Sequence, residues 1–372
     1  MKILFPIASF YPAQDGGPSN SVYWLAKALD RSGVNVEIQT TDKGITSIPK
    51  NILNNKSDSK VNFSHRLFDY FPIRMLYESC VSLSKSDVVH LNSLFYPAST
   101  IMAVLALLKS KKIIWSTRGE LDFKALEFSS WKKKPVLQFI KIFLKKNIVF
   151  HATSEKERNE IISKFGKKSK IIVIPNMMEL EPATPIYNKV YFLFIGRIHP
   201  IKGIDLLLEG LALSGAFRSS KFILKIAGDF NNLYYSELLR LVTKLGLKNK
   251  VEFVGHKKDF EKQELYAGAF FTFLPSYSEN FGNVVIESLS QGTPVVASTA
   301  TPWKILEDSE AGFWIDNSPE KIGKVVDKIL KMTVSQYADL KYNSLKLVKE
   351  NFDIHRNIHL WVDTYNQILS EV

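Results

Sequence analysis

Residues 275–296 read PSYSENFGNVVIESLSQGTPVV, and this stretch joins a loop, a short helix and a buried strand. The apolar strand before it ends at Leu274, and Gly282 allows the backbone to turn tightly. Residues 283–291 have the pattern of a helix, which Gly292 ends. This order of strand, loop, helix and strand predicts part of a parallel α/β sheet.

Two carboxylates in this stretch are candidate binding groups. Backbone N–H groups near Gly282 and Asn283 would attract a phosphate, because they lie at the start of a helix. Glu287 follows Asn283 by about one helical turn, so it could accept hydrogen bonds from the vicinal hydroxyls of a ribose or sugar. Glu279 precedes the helix. The alternative is that both glutamates are surface residues flanking a structural turn.

Length and composition limit the class of protein. A chain of 372 residues with 45% hydrophobic residues can bury two cores. The single cysteine, Cys80, excludes an intrachain disulfide and is typical of a reducing compartment. Residues 1–10 predict a buried strand rather than a signal sequence, because Pro6 interrupts their apolar run. The longest purely apolar run, residues 101–108, is far shorter than the roughly 18 residues that span a bilayer, so we expect no transmembrane helix.

The first half of the chain alternates strands and helices. A first strand, a loop with Gly16 and Gly17, an amphipathic helix and a strand at residues 34–38 make a β-α-β unit. Ser154 and Glu157 predict a capping box at the start of a later helix. Nearly continuous hydrophobicity predicts the strands of a parallel sheet covered on both faces, at residues 88–91, 113–116, 148–150 and 171–175.

The alternation is interrupted once and then restarts. Residues 176–187 contain prolines and no periodicity, so we place the interdomain linker there. A second doubly wound domain is predicted by strands at 191–195, 222–226 and 251–254 and helices at 205–212 and 238–245. Residues 357–369 form an apolar helical face that we expect to pack, with the first domain as a candidate partner.

A second loop supplies cations. Gly196, Arg197, Lys202 and Gly203 follow the strand at residues 191–195 and precede a helix. Arg197 can make bidentate contacts and Lys202 provides a compact charge, which favours a diphosphate ligand at this end of the sheet. The alternative is a basic loop that faces water.

The motifs together resemble one family. They are Gly-Arg-x4-Lys-Gly at residues 196–203, Ser-Glu-x-Phe-Gly-x4-Glu at 278–287, and Gly-Thr-Pro-Val-Val at 292–296. Weaker support comes from Asp-Gly-Gly at 15–17, His-Ala-Thr-Ser at 151–154 and Ala-Gly-Asp at 227–229. The chain resembles the retaining nucleotide-sugar glycosyltransferases of family 4, which have the GT-B fold, over nearly its whole length.

The resemblance implies roles for these residues. Arg197 and Lys202 would neutralise the donor diphosphate, Glu287 would hold the ribose hydroxyls, and Glu279 would contact the transferred sugar. The implied catalytic residues are Arg197, Lys202, Glu279 and Arg118. The implied donor-binding residues are Gly16, Gly17, Gly196, Gly255, His256, Asn280, Phe281, Gly282, Asn283 and Glu287. Among these, Gly255 and His256 would lie near the nucleobase, and Gly17 near the diphosphate.

The chain departs from the family in two places. Thr117-Arg118-Gly119-Glu120 stands where many members carry a His-Gly pair on the acceptor side. Arg118 cannot act as a base at neutral pH. Pro175-Asn-Met177 replaces the more usual Pro-Asn-Gly. The acceptor half of the site is therefore less well predicted than the donor half.

The charges suggest a mechanism without a metal. Sugar transfer develops negative charge on the leaving diphosphate, which Arg197, Lys202 and helix N-termini can stabilise. The sequence contains no Asp-x-Asp motif, so we expect no metal and no cofactor other than the nucleotide-sugar co-substrate. His355 and His359 have a zinc-like spacing, but a surface pair is favoured there. We favour front-face attack, with the leaving phosphate taking the acceptor proton, while retention is implied by the family alone.

Charge is unevenly distributed along the chain. Residues 1–185 hold 27 Lys+Arg against 16 Asp+Glu, within a total net charge of +12. Residues 131–146 combine six lysines with Trp131, Phe139 and Phe143, which is typical of segments at a membrane interface. The alternative is that their apolar face belongs to the domain core. An anionic membrane surface is thus an expected partner, and nucleic acid is not.

The expected fold class is α/β, namely GT-B with two Rossmann-like doubly wound domains facing across a cleft and a C-terminal helix returning to the first. Its predicted parts are an acceptor domain at residues 1–180, a linker at 181–187, a nucleotide-sugar donor domain at 188–352 and the C-terminal helix at 353–372.

The expected function is transfer of a sugar from a UDP- or GDP-sugar to a glycan or polyprenyl-diphosphate-linked acceptor. We expect it at the cytoplasmic face of a membrane, in surface-polysaccharide synthesis. A GT-B sugar phosphorylase, a nucleotide-sugar epimerase and a non-catalytic basic protein binding membrane or nucleic acid remain as alternatives.

Overall fold

The computed structural model describes residues 1–13, 17–45, 52–53, 58–66, 71–127, 130–184 and 190–371. The chain divides into two compact units. Unit 1 comprises Met1–Glu179 and Asp353–Val372, and unit 2 comprises Leu180–Phe352. The predicted linker, 181–187, falls at the start of unit 2, and its residues 185–187 lie outside the described residues.

Over the described residues, unit 1 contains a seven-stranded parallel sheet. Its strands are β1 (Lys2–Pro6), β2 (Asn35–Thr41), β3 (Lys60–Ser64), β4 (Val88–Asn92), β5 (Lys112–Ser116), β6 (Ile148–Ala152) and β7 (Lys170–Val173). Their order across the sheet is β3-β2-β1-β4-β5-β6-β7.

Unit 2 contains, within the same limits, a six-stranded parallel sheet. Its strands are β8 (Tyr191–Ile195), β9 (Ile223–Ala227), β10 (Val251–Gly255), β11 (Ala269–Leu274), β12 (Val295–Ser298) and β13 (Gly312–Ile315). They lie in the order β10-β9-β8-β11-β12-β13.

Helices connect the strands. Those up to residue 165 are α1 (Gly17–Arg31), α2 (Ile73–Leu83), α3 (Pro97–Leu108), α4 (Phe123–Glu127), α5 (Ser130–Phe139) and α6 (Glu155–Phe165). Those of unit 2 are α7 (Ile204–Leu213), α8 (Gly215–Ser219), α9 (Leu233–Lys244), α10 (Asp259–Gly268), α11 (Val284–Ser290), α12 (Ile305–Asp308), α13 (Pro319–Leu330) and α14 (Val334–Asn351). The chain ends with α15 (Ile354–Asn357) and α16 (His359–Ser370).

The strands are buried because helices cover both faces of each sheet. In β1, Ile3 and Phe5 enter one apolar cluster, whereas Leu4 between them enters the cluster on the opposite face. Successive side chains of a strand point to opposite faces, so both faces need an apolar covering. This explains why the central strands have nearly continuous apolar sequences.

Each sheet has one point at which the strand order reverses. In unit 1 it lies between β1 and β4, and in unit 2 between β8 and β11. Loops leaving two such strands diverge to opposite faces, which opens a crevice at the carboxyl ends of the strands. Ligands of doubly wound sheets bind in this crevice, so the carboxyl ends of these strands are the expected position of a binding site.

The C-terminal helix packs within unit 1. Trp361 and Tyr365 are buried, and the Tyr365 hydroxyl lies 2.7 Å from Nδ1 of His90 in β4. The predicted single helix over residues 357–369 is instead α15 followed by α16. His355 contacts Glu179 whereas His359 contacts the Arg356 carbonyl, so the two imidazoles have separate partners.

The predicted fold class is confirmed, with local differences. The sequence does not predict β3 and β13, which are partly exposed edge strands and therefore lack the continuous apolar pattern of the central strands. Helix α9 starts at Leu233, five residues before the predicted start at Leu238, because Asn232 caps its exposed first turn. No helix in the described part of the chain is long and apolar enough to cross a membrane.

Candidate functional site

Two loops of unit 2 meet where its strand order reverses. Residues 196–203 follow β8 and residues 275–283 follow β11. The Tyr277 N–H donates to the Ile201 carbonyl at 2.8 Å, which joins the loops directly. Gly203 has φ +64°, and a Cβ there would lie 2.0 Å from the Pro275 carbonyl oxygen. Glycine is therefore required for this close approach.

The two loops share an ion pair. Lys202 Nζ lies 2.5 Å from Glu279 Oε2, and Ser276 Oγ donates to the same oxygen at 3.2 Å. Both charged side chains are about 15% exposed, so the pair is largely shielded from water. A diphosphate at Lys202 would compete with Glu279 for this cation. The ion pair thus holds the Lys202 ammonium beside Glu279.

Positive potential extends along the first loop. Arg197 is exposed and makes no ion pair with any described residue. The His199 imidazole accepts the Ile201 N–H at 3.2 Å. Partial burial, followed by the charges of Arg197 and Lys202, lowers the pKa of His199. The charges of Arg197 and Lys202 thus act on the same short loop, and such a loop is suited to bind an anion.

Glu287 lies at the first turn of α11 and is held from α10. Lys262 Nζ lies 2.6 Å from Oε1, and the Tyr266 hydroxyl donates to Oε2 at 2.7 Å. Burial and the Glu287 charge raise the pKa of Tyr266, which therefore stays a donor. A carboxylate has about four acceptor positions, so Glu287 can also accept from two ligand hydroxyls.

The turn before α11 is braced by aromatic residues. Gly282 has φ +87°, and a Cβ there would lie 3.0 Å from Leu274 Cδ2. Trp303 Nε1 donates to the Phe281 carbonyl, and the two rings lie 5.0 Å apart. Helix α11 spans Val284–Ser290, with Asn283 as its N-cap residue, one residue inside each predicted end.

The other predicted donor residues of unit 2 lie at the same strand ends. Gly196 follows β8, and Asn280 lies in the second loop. Gly255 ends the edge strand β10 with φ +78°, and the exposed His256 follows it. Because β10 is two strands from β8, these two residues lie farther along the carboxyl edge than Lys202 and Glu279.

Three predicted site residues belong to unit 1. Gly16 lies outside the described residues, and Gly17 is the exposed first residue of α1. Arg118 follows β5 and contacts Asn92 and Asn176. The structure therefore brings together the predicted residues of the β8 loop, the β11 loop and α11, while Gly255 and His256 lie at the end of β10. Arg118 lies in a polar cluster of unit 1.

Comparison with known proteins identifies the family. Residues 15–181 match the family described as "Glycosyltransferase Family 4", and residues 179–347 match "Glycosyl transferases group 1". The chain belongs to the family 4 glycosyltransferases. The predicted resemblance is thus confirmed, and the two loops of unit 2 lie within the second match.

The chain is similar in sequence to several glycosyltransferases. It is 31% identical over 140 residues to an uncharacterized glycosyltransferase of Methanocaldococcus jannaschii, covering 37% of this chain and 35% of the relative. It is 28% identical over 182 residues to a D-inositol 3-phosphate glycosyltransferase of Mycolicibacterium smegmatis, covering 48% of this chain and 40% of the relative. The chain thus spans less than half the length of these relatives. An uncharacterized protein in the cps region of Klebsiella pneumoniae is 23% identical over 297 residues, covering 76% and 79%.

Solved structures confirm the GT-B fold. Anabaena HepE, in complex with UDP and glucose, has a TM-score of 0.78 at 19% identity, covering 99% of this chain and all of the other. WaaG, a glycosyltransferase involved in lipopolysaccharide biosynthesis, has a TM-score of 0.68 at 15% identity, covering 98% of this chain and 99% of the other.

The sequence does not reveal the residues that hold the site together. Lys262, Tyr266 and Trp303 contact the predicted residues only through the tertiary fold. Lys262 has the pattern of a solvated helix residue, and the two aromatic residues have the pattern of core. Nothing in their local sequence marks them as partners of Glu287 or of the Gly282 turn.

Proposed function

We propose that the chain is a retaining glycosyltransferase that moves a sugar from a UDP- or GDP-sugar to a glycan or lipid-linked acceptor. The observation that carries this proposal is the meeting of the two loops at the β8/β11 crossover, where Lys202 and Glu279 pair. The complexes of Anabaena HepE with UDP and with UDP-glucose support a nucleotide-sugar donor.

Each group of the site has a task in donor binding. Lys202 and Arg197 bind the diphosphate, and their charges stabilise the leaving group as the anomeric C–O bond breaks. Glu279, released from Lys202, accepts hydrogen bonds from the transferred sugar. Glu287 accepts from the ribose hydroxyls. The Gly282 turn supports the loop between these two carboxylates.

The transfer needs no metal in this proposal. A divalent cation would serve to neutralise the diphosphate, and Arg197 and Lys202 provide that positive charge. The acceptor hydroxyl attacks the anomeric carbon from the same face as the departing diphosphate. Its proton passes to the leaving phosphate oxygen. The configuration of the anomeric carbon is thereby retained.

The acceptor belongs to bacterial-type surface-polysaccharide synthesis, whose products include O-antigen, capsule and exopolysaccharide. Two similarities support this part of the proposal. One relative is a Klebsiella pneumoniae protein in the cps region. One structural neighbour is WaaG, which is involved in lipopolysaccharide biosynthesis.

A surface of unit 1 is suited to the cytoplasmic face of an anionic membrane. Trp131, Ile142 and Phe143 are between 58% and 73% exposed, whereas Ile140 and Leu144 of the same segment are buried. Four lysines of the same segment are also exposed, namely Lys132, Lys134, Lys141 and Lys146. Exposed apolar residues in a lysine-rich segment can insert at the headgroup level of anionic bilayers.

Vesicle flotation tests this surface. Trp131→Ser/Phe143→Ser should release the protein from vesicles with phosphatidylserine at low salt, while Leu233→Ser, at an exposed apolar residue of unit 2, should not. Equal retention of both variants would contradict membrane contact.

A turnover assay tests the enzymatic proposal. UDP- and GDP-sugars are supplied with and without a bacterial membrane extract as the source of acceptors. We expect nucleotide release that depends on the extract, persists with EDTA, and gives a product with the anomeric configuration of the donor. Conversion to another nucleotide sugar without acceptor would indicate an epimerase, and phosphate-dependent turnover a phosphorylase.

A further inference from the structure

The turn that carries Arg118 is held in an unusual conformation. Arg118 has φ +54°, in the left-handed region that residues with a side chain rarely adopt, and Gly119 follows with φ +74°. The buried carboxylate of Glu157 accepts from Thr117 Oγ1 at 2.6 Å and from the Gly119 N–H at 2.7 Å. Its other oxygen accepts from the Thr153 N–H at 2.7 Å. The turn is therefore fixed on both sides of Arg118.

The neighbouring loop after β4 is fixed as well. Glu120 accepts from the Leu94 N–H at 2.5 Å and from the Phe95 N–H at 3.2 Å, and Ser93 Oγ donates to it. Ser93 also has a positive φ, at +67°. Strained backbone persists only where the surroundings determine it, and it is common at ligand sites.

Among the described residues, the guanidinium of Arg118 donates hydrogen bonds only to neutral groups. Nε donates to Asn92 Oδ1 at 2.9 Å and Nη1 donates to Asn176 Oδ1 at 3.1 Å. It makes no ion pair with any residue in the described ranges. The charge of Glu157 raises the pKa of Arg118. The Glu157 carboxylate, however, is already occupied by four hydrogen bonds from Thr117, Gly119 and Thr153. Three of the five N–H donors of Arg118 thus have no acceptor among the described residues.

The charge of Arg118 is retained although its surroundings are poorly solvated. Burial lowers the pKa of Arg118 to about 10, so it stays protonated at neutral pH. Burial and the Arg118 charge lower the pKa of His151 to about 3, and burial with His151 and Arg118 lowers that of His90. Both imidazoles are therefore neutral and add no competing charge. A partly buried cation without a counterion is costly unless an anion binds it.

The position of this cation matches the ligand position of the sheet. Asn92, which accepts from Arg118, is the last residue of β4, and β4 borders the crossover of unit 1. The guanidinium therefore lies at the carboxyl end of the strand where doubly wound sheets bind ligands.

We propose that Arg118 binds a phosphate or carboxylate group carried by the acceptor. This inference rests on the proposed function, because only that function identifies the anion as part of the acceptor. The planar fork of the guanidinium can bind two oxygens of such a group at once, which a lysine cannot do. Arg118 is then a specificity residue for an anionic acceptor, and not a base.

Calorimetry with small probes tests the site without turnover. Methyl phosphate and acetate are titrated into wild type, Arg118→Gln, Arg118→Lys and Lys202→Ala, and methanol serves as the neutral probe. We expect either methyl phosphate or acetate to bind wild type and Lys202→Ala with the same affinity. The same anion should bind Arg118→Gln roughly tenfold more weakly. Arg118→Lys should fall between, and Arg158→Gln, at an exposed arginine of α6, should match wild type.

The outcomes separate this site from the donor site. A preference for methyl phosphate indicates a phosphorylated acceptor, and one for acetate a uronic acid. Equal anion affinity of wild type and both Arg118 variants, or no binding to wild type, would overturn the inference. Loss of binding in Lys202→Ala with full binding in Arg118→Gln would place the anion at the donor loops instead. UDP binding by Arg118→Gln, measured in parallel, tests the proposed donor function separately.

Discussion

At the scale of single residues, the proposed donor site contains two carboxylates that already have protein partners. Glu279 pairs with Lys202, and Glu287 is held by Lys262 and Tyr266. These contacts orient both carboxylates within the site. In the proposed function, the donor diphosphate would replace Glu279 at Lys202, and ligand hydroxyls would donate to the carboxylate acceptor positions that remain.

Glu287 can be tested with nucleotides that differ only in the ribose. Glu287→Gln should weaken UDP binding by roughly tenfold, because a hydrogen bond to a charged group is lost. It should hardly affect 2′,3′-dideoxyuridine diphosphate, which lacks the hydroxyls. Glu264→Gln, on the exposed side of α10, is the matched control. An equal loss for both nucleotides in calorimetry would remove the assignment of Glu287 to the ribose.

At the scale of elements, the site depends on two loops that meet although about 75 residues separate them in sequence. Their approach is set by Gly203 at one side and by the Pro275 carbonyl at the other, to which Asn317 Nδ2 also donates at 2.6 Å. The pairing of Lys202 with Glu279 follows from that approach.

Gly203→Ala should separate the two loops. A Cβ 2.0 Å from a backbone oxygen cannot be accommodated, and φ +64° disfavours alanine in addition. We expect a loss of about 2 kcal/mol in the free energy of unfolding of unit 2, measured in urea, together with weaker nucleotide binding. Gly215→Ala in α8, where a Cβ meets nothing within 4 Å, should be neutral or slightly stabilising. If both variants unfold alike, Gly203 has no special role.

The sequence predicts these elements well but their partners poorly. The Gly196–Gly203 and Pro275–Asn283 loops follow from the order of apolar strands, glycines and charges. The capping box at Ser154 is only half correct: Ser154 accepts the Glu157 N–H, but the Glu157 carboxylate bonds Thr117, Gly119 and Thr153 instead. Such long-range contacts depend on the order of the strands in the sheet. The local sequence pattern does not predict that order.

At the scale of the whole molecule, the chain closes unit 1 with its last segment. Met178 bridges to Asp353, and Glu179 contacts Lys27 at 2.5 Å and Arg31 at 2.7 Å. His355 Nε2 lies 3.0 Å from the same carboxylate. The point at which the chain leaves unit 1 is thus joined to the point at which it returns and to α1.

This junction should give unit 1 a pH-dependent stability. Burial raises the pKa of Glu179, but hydrogen bonds from Lys27, Arg31 and His355 outweigh it and lower the pKa from 4.5 to about 2. The stabilisation, about 3 kcal/mol, is full above pH 4.5 and is lost as the pH falls towards 2. Hydrogen exchange of α1 and α16 should show a wild-type advantage over Glu179→Gln that shrinks from pH 5 to pH 3. Glu155→Gln, at an exposed pair, should change little, and a constant advantage would refute the assignment.

In the proposed function, the paired loops of unit 2 bind the donor through its diphosphate. The most direct measurement is calorimetry of UDP, GDP and uridine with wild type, Lys202→Ala and Lys221→Ala, the last at an exposed lysine of the same unit. We expect wild type and Lys221→Ala to bind one of the two nucleotides with equal affinity. Lys202→Ala should bind it at least roughly tenfold more weakly, with uridine affinity unchanged. Wild-type nucleotide affinity in a folded Lys202→Ala protein would show that Lys202 does not bind the diphosphate.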